Sequence, residues 1–151
     1  MHKILFVCLG NICRSPMAEF IMKQMVYEKG VAENFYIESA ATSYEEVGNP
    51  VYPPVRQLLN QRGINCNNKR ARKITLADYD KFDYIVCMDS SNLRSLKAIF
   101  PHDNGRKIFK LLDLAGTNRD VADPWYTRDF SKTEEDICMG CKALLEVIQN
   151  S

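Results

Sequence analysis

The 151 residues suffice for one domain with its own core, and a formal net charge of +1 argues against a dedicated nucleic-acid binder. No apolar stretch approaches the roughly 20 residues of a membrane span. The apolar run after Lys3 is too short for a signal peptide, so a cytoplasmic location with no membrane partner is expected.

Ile4 to Val7 is a short, partly β-branched apolar run, the composition of a strand buried on both faces. It leads straight into Cys8-Leu9-Gly10-Asn11-Ile12-Cys13-Arg14-Ser15. Pro16 follows, and Met17, Phe20, Ile21, Met25 and Val26 are apolar at helical spacing. Proline is tolerated in a first helical turn, where its missing N–H has no partner. With Ser15 as N-cap, the order reads strand, tight loop, helix, the helix running from about Pro16 to Lys29 and stopped by Gly30.

Phe35 to Ser39 is a second strand, and Thr42 to Pro54 a loop rich in turn formers. Val55, Leu58 and Leu59 mark a short helix ending at Gly63. Asn65 to Lys73 is polar, with Lys69, Arg70, Arg72 and Lys73 forming either a solvated loop or an attractor for anions. Thr75 to Lys81 makes a helical turn or two, and Tyr84 to Met88 a third buried strand. Asp89-Ser90 begins a helix over Leu93, Leu96, Ile99 and Phe100, halted near Pro101. Lys107 to Leu111 is a fourth strand, Gly116 to Phe130 mostly loop, and Thr133 to Ile148 a long amphipathic helix. Strands alternating with helices imply a single α/β domain, a parallel sheet with helices on both faces.

The loop after the first strand carries the chemistry. Successive backbone N–H groups from Leu9 to Ser15, reinforced by the helix dipole, form a phosphate cradle. Gly10 eases the tight curl, and Asn11 tolerates a left-handed backbone. Arg14 supplies a planar fork for two phosphate oxygens. Cys8, at the end of the strand, is thereby expected to have its thiolate stabilised and to act as a nucleophile. A phosphate ester attacked by a thiolate needs a proton donor for its leaving oxygen; Asp123 before Pro124 is a candidate, and Trp125 and Tyr126 can form an aromatic wall.

The six cysteines are Cys8, Cys13, Cys66, Cys87, Cys138 and Cys141, expected as free thiols. Cys138-Met139-Gly140-Cys141 invites a zinc or redox reading. No second Cys or His pair accompanies it, and Ile137, Cys138, Cys141, Leu144, Leu145 and Ile148 trace one helical face, so these cysteines are expected in the core.

Cys8-Leu9-Gly10-Asn11-Ile12-Cys13-Arg14-Ser15-Pro16, with Asp123-Pro124-Trp125-Tyr126 far downstream, resembles the low-molecular-weight protein tyrosine phosphatases. The resemblance extends over Ser39-Ala40-Ala41-Thr42-Ser43, Gly48-Asn49-Pro50 and Phe82 to Asp89. It implies a four-stranded parallel sheet of order 2-1-3-4 and hydrolysis of phosphotyrosine proteins through a cysteinyl-phosphate on Cys8. Arg14 and the loop amides would hold the transition state, and Asp123 would act first as acid, then as base. No metal or cofactor is implied, and a monomer is expected. Ser15 would assist the Cys8 sulfur, and Ser39 would bond Asn11. Cys13 could pair reversibly with Cys8 or simply pack.

Ile12, Trp125, Tyr126 and Tyr44 suggest a deep apolar slot for an aryl phosphate. Tyr44-Glu45 stands where relatives usually carry a glycine and then an aromatic, which would turn Glu45 toward the substrate and disfavour acidic peptides. Lys69 occupies a region where many relatives place a histidine near the loop asparagine, and Trp125 replaces a common tyrosine. Three alternatives are weighed. A phosphoarginine phosphatase branch carries threonine at the position of Ile12. A thiol-dependent arsenate reductase needs two more redox cysteines near the third strand, where only Cys87 lies. A non-catalytic phosphate-binding module has no use for Cys8, Arg14 and Asp123 together.

Overall fold

The four apolar runs pair side by side in a computed structural model that describes residues 1–151. They form β1 (His2–Cys8), β2 (Phe35–Ala41), β3 (Tyr84–Cys87) and β4 (Ile108–Lys110). The sheet is fully parallel, in the order β2-β1-β3-β4. In β1, Ile4 lies opposite Ile37 and Tyr84, and Val7 opposite Ala40 and Cys87. A strand with a partner on each side and a helix layer above and below must be apolar at every position. Ile4 to Val7 are accordingly all fully buried.

Alternation along β1 divides the core in two. Ile4, Phe6 and Cys8 face one layer, made by α1 (Arg14–Glu28), α2 (Pro53–Gln61) and α6 (Phe130–Gln149). Met17, Ile21 and Met22 of α1 meet Ile137, Cys141 and Leu144 of α6 there. Leu5 and Val7 face the other layer, with Ile74, Phe82, Leu96 and Phe100, around α3 (Leu76–Lys81) and α4 (Ser90–Ile99). Burying side chains such as Phe6 and Phe82 contributes about 1.5–3 kcal/mol each. After β1 the chain turns to one face and after β3 to the other. The split opens a crevice at the carboxyl ends of these neighbouring strands, where open α/β sheets bind ligands.

Several boundaries differ from the sequence reading. Helix α1 begins at Arg14, so Ser15 is not its N-cap: Cys13 stands at that position without a side-chain cap. The Ser15 hydroxyl is engaged instead by Cys8 and Asn11. The fourth strand ends at Lys110, because Leu111–Ala115 tightens into a 3-10 turn closed by Gly116 at φ 80°. Within the expected loop, Pro124–Thr127 forms a short helix, α5, capped by Asp123. Helix α6 starts at Phe130 because Asp129 caps it, accepting the Lys132 N–H at 3.0 Å.

Candidate active site

Cys8 ends β1, buried at 4% exposure, on the side of the sheet where the strands' carboxyl ends open into the crevice. The Asn11 N–H donates to its Sγ at 3.3 Å, and the Ser15 Oγ lies 3.0 Å from the same atom. Asn11 has the expected left-handed backbone, φ 62°. Its side chain is fully employed: Nδ2 donates to Ser15 Oγ at 2.8 Å and to Ser39 Oγ at 2.9 Å, and Oδ1 accepts the Arg72 N–H at 3.1 Å. Because Ser15 already accepts from Asn11, its own proton is free to point at the sulfur.

Behind this lies a buried ionic group. Ser39 Oγ donates to Glu19 Oε1 at 2.5 Å, and Lys69 Nζ donates to the Ser39 carbonyl at 2.8 Å while lying 3.3 Å from Glu19. Lys69 is therefore neither a solvated loop residue nor an attractor of substrate. Burial pulls its ammonium below the usual lysine value, with Glu19 opposing that shift. Glu19 is not among the residues singled out from the sequence; the one signal that could have found it is a carboxylate among Met17, Ala18 and Ile21 on a buried helix face.

Arg14 is held from two sides. Its NH1 donates to Asp89 Oδ2 and to the Val121 carbonyl, each at 2.8 Å, and NH2 lies 3.5 Å from Asp123 Oδ2. Burial works against its charge, but Cys8, Asp89 and Asp123 outweigh burial and raise its pKa above the ordinary arginine value. From the sequence, Asp89 stands only at the start of α4. It does cap that helix through Oδ1, which accepts the Asn92 N–H at 2.7 Å, leaving Oδ2 for the guanidinium. Asp123 uses Oδ1 to cap α5, accepting the Trp125 N–H at 3.0 Å, and so turns Oδ2 toward Arg14.

The resulting cavity encloses about 190 Å³. Leu9 to Arg14, apart from Asn11, form one side, and Trp125 and Tyr126 stand on the other beside Asp123. Tyr52, not singled out beforehand, braces Trp125 at 4.9 Å between ring centroids and fixes Ile12 by donating its N–H to the Ile12 carbonyl. Tyr44 does not line the cavity. Its ring is 75% exposed with the Lys73 ammonium 5.0 Å above it, and Glu45 and Glu46 occupy the mouth instead. Glu46 packs so near Gly10 that a Cβ there would come within 3.2 Å of its Cγ.

All six cysteines are free thiols. Burial first, then the charges of Cys8 and Asp123, pushes the Cys13 thiol up to about 12. Burial likewise raises Cys141 far above the usual thiol range, while Cys138 accepts a hydrogen bond from Arg62 at 3.0 Å. No group of three His, Cys, Asp or Glu side chains is placed to hold a metal ion. The donors at the cavity suit an anion: backbone amides, one guanidinium and a helix start.

Comparison with known proteins agrees with this geometry. The profile of the family described as low molecular weight phosphotyrosine protein phosphatase matches residues 3–151. The low molecular weight protein-tyrosine-phosphatase YfkJ of Bacillus subtilis is 39% identical, the match covering 99% of this chain and 97% of that protein. Its crystal structure superposes with a TM-score of 0.95, over 99% of this chain and 96% of the other. The low molecular weight phosphotyrosine protein phosphatase of Homo sapiens is also 39% identical, over 95% of this chain and 93% of its own. A crystal structure of a drosophila arginine phosphatase aligns with a TM-score of 0.89 at 32% identity, covering 97% of both chains.

Proposed function

The chain belongs to the low molecular weight phosphotyrosine protein phosphatase family, and from that premise we propose that it hydrolyses phosphotyrosine in proteins through a phosphocysteine on Cys8. The Cys8 thiolate attacks phosphorus in line, forming an S–P bond as the P–O bond to the tyrosine oxygen breaks. The protonated Asp123 carboxyl gives its proton to that departing oxygen. Water then attacks the phosphocysteine, Asp123 takes its proton, and the electron pair of the breaking S–P bond returns to sulfur, where the Ser15 hydroxyl stabilises the thiolate. Orthophosphate leaves. Arg14 and the amides between Leu9 and Arg14 carry the equatorial oxygens through both steps.

The observation that carries this reading is the Arg14 guanidinium, which links the Cys8 loop to Asp123 at 3.5 Å across one cavity. In the same reading the enzyme works as a monomer in the cytoplasm and needs no cofactor. The flat apolar wall of Ile12, Trp125 and Tyr126 favours an aryl ester. The carboxylates of Glu45 and Glu46 favour the rival, a phosphorylated guanidinium.

Initial rates on phosphotyrosine, phosphoarginine and para-nitrophenyl phosphate test both. Phosphotyrosine is expected to be turned over faster than phosphoarginine, and the reverse order would replace this reading by its rival. Cys8→Ser should abolish turnover. Asp123→Ala should lower kcat on phosphotyrosine by roughly 10²–10⁴-fold, and far less on an ester whose leaving group needs no proton. An equal loss on both esters would remove Asp123 as the acid.

A further inference from the structure

Lys110 is the last residue of β4 and only 8% exposed, although nothing in the catalytic reading uses it. A lysine ammonium is rarely so dry without partners. Lys110 has three: Nζ donates to the Asn118 carbonyl at 2.7 Å, to Asp120 Oδ1 at 3.0 Å and to Ser90 Oγ at 3.3 Å. The same Asp120 oxygen accepts the Ser90 N–H at 3.1 Å and lies 3.2 Å from the Ser90 hydroxyl. One buried cation thus fastens three pieces of chain together: the end of β4, the first residue of α4, and the stretch 118–120.

Two of the fastened pieces adjoin groups that hold Arg14. Ser90 follows Asp89, which accepts from Arg14. Asp120 precedes Val121, whose carbonyl accepts from Arg14 and whose N–H donates to the Met88 carbonyl at 2.9 Å. Asp123 lies three residues further on. The outer side of this stretch is tied separately to α6, by the paired hydrogen bonds of Arg119 to Asp136 at 2.7 Å and by Thr133 Oγ1 to the Ala122 carbonyl at 3.0 Å. Those ties hold the stretch against the body of the protein. The contacts of Lys110 set it against Asp89 and therefore against Arg14.

We propose that Lys110 is a positioning residue for proton transfer: by binding Asp120 and Ser90 together it fixes the place of Asp123 relative to Arg14. It touches neither substrate nor reacting atoms. The inference rests on the reading of Asp123 as the proton donor. Its consequence is specific, because a misplaced acid hurts only those reactions that need one. An error near 1 Å in such a group can cost on the order of a hundredfold.

The test compares Lys110→Met and Asp120→Asn with wild type on a series of aryl phosphates, phenyl phosphate at one end and para-nitrophenyl phosphate at the other. Thermal melts establish that each variant is folded at the assay temperature. Both are expected to lose about tenfold to a hundredfold in kcat on phenyl phosphate and no more than about threefold on para-nitrophenyl phosphate, giving a steeper dependence on leaving-group pKa. The double variant is expected to match the singles rather than multiply their losses. Because Asp120 is more exposed than Lys110, the Asp120 variant carries the test if Lys110→Met does not fold. An unchanged dependence in a folded variant, with only a lower melting temperature, would overturn the proposal and leave Lys110 a structural ion pair. Failure of the underlying reading shows separately, as an Asp123→Ala variant that loses equally on every ester.

Discussion

Asn11 does several jobs that no other side chain at that position could combine. A left-handed backbone is adopted and two side-chain donors and one acceptor are all used, so its replacement would remove three hydrogen bonds from the loop. Cys13, two residues on, is the opposite case: burial and the neighbouring negative charges keep it a thiol, with a pKa raised to about 12. At pH 7 to 8 iodoacetamide should therefore modify Cys8 and leave Cys13 intact, which peptide mass mapping would show; label on Cys13 at that pH would contradict its environment. Glu45 and Glu46 line the cavity, and under the proposed function their carboxylates would repel acidic residues flanking a phosphotyrosine. Exposed charge pairs are worth about 0.2–1 kcal/mol, so the Glu45→Gln/Glu46→Gln variant should gain about threefold in kcat/KM on an acidic phosphopeptide at low salt. The gain should vanish at high ionic strength; a gain that persists there is not electrostatic. Cys8, Arg14 and Asp123 were readable from the chain because each sits in a short local pattern. Asp89 and Glu19 were not, because their partners are distant in sequence and each had a complete local role already, as helix cap or helix residue.

At the scale of elements, periodicity located every strand and every long helix, and errors gathered where a few residues decide. Four residues of α5 are too few for a period, and its signal is the Asp-Pro pair itself, a cap followed by proline in the first turn. The Cys138–Cys141 stretch is explained by packing. A Cβ on Gly140 would fall 2.3 Å from Leu111 Cγ, so the absent side chain lets α6 lie against the 3-10 turn after β4. Gly140→Ala would gain about 1 kcal/mol of helix propensity but incur overpacking of about 1–3 kcal/mol. The expected net result is a melting temperature lower by several degrees, with Leu111→Ala in the same chain recovering part of the loss. A rise in melting temperature would mean that Leu111 yields freely.

For the whole molecule, the sheet order was supplied by family resemblance rather than by any periodicity, since a pairing such as Ile4 with Tyr84 leaves no local trace. Stability against acid does follow from single ion pairs. Hydrogen bonds from Arg119 hold the Asp136 carboxyl below its usual 3.8. A depressed carboxylate stabilises the fold above its unfolded pKa, and that contribution is lost as pH falls through the folded value. Stability should thus be level from pH 5 to 7 and decline below about pH 4, and Asp136→Asn should flatten that decline while lowering the melting temperature at pH 7. A decline as steep in the variant as in wild type would place the acid sensitivity elsewhere. The position of β1 matters in another way. The ribosome makes the middle of the sheet before either neighbour, and α6, which helps to cover it, is made after all four strands. Under the proposed mechanism, polypeptides abandoned before residue 123 own the sulfur but neither its acid nor its roof.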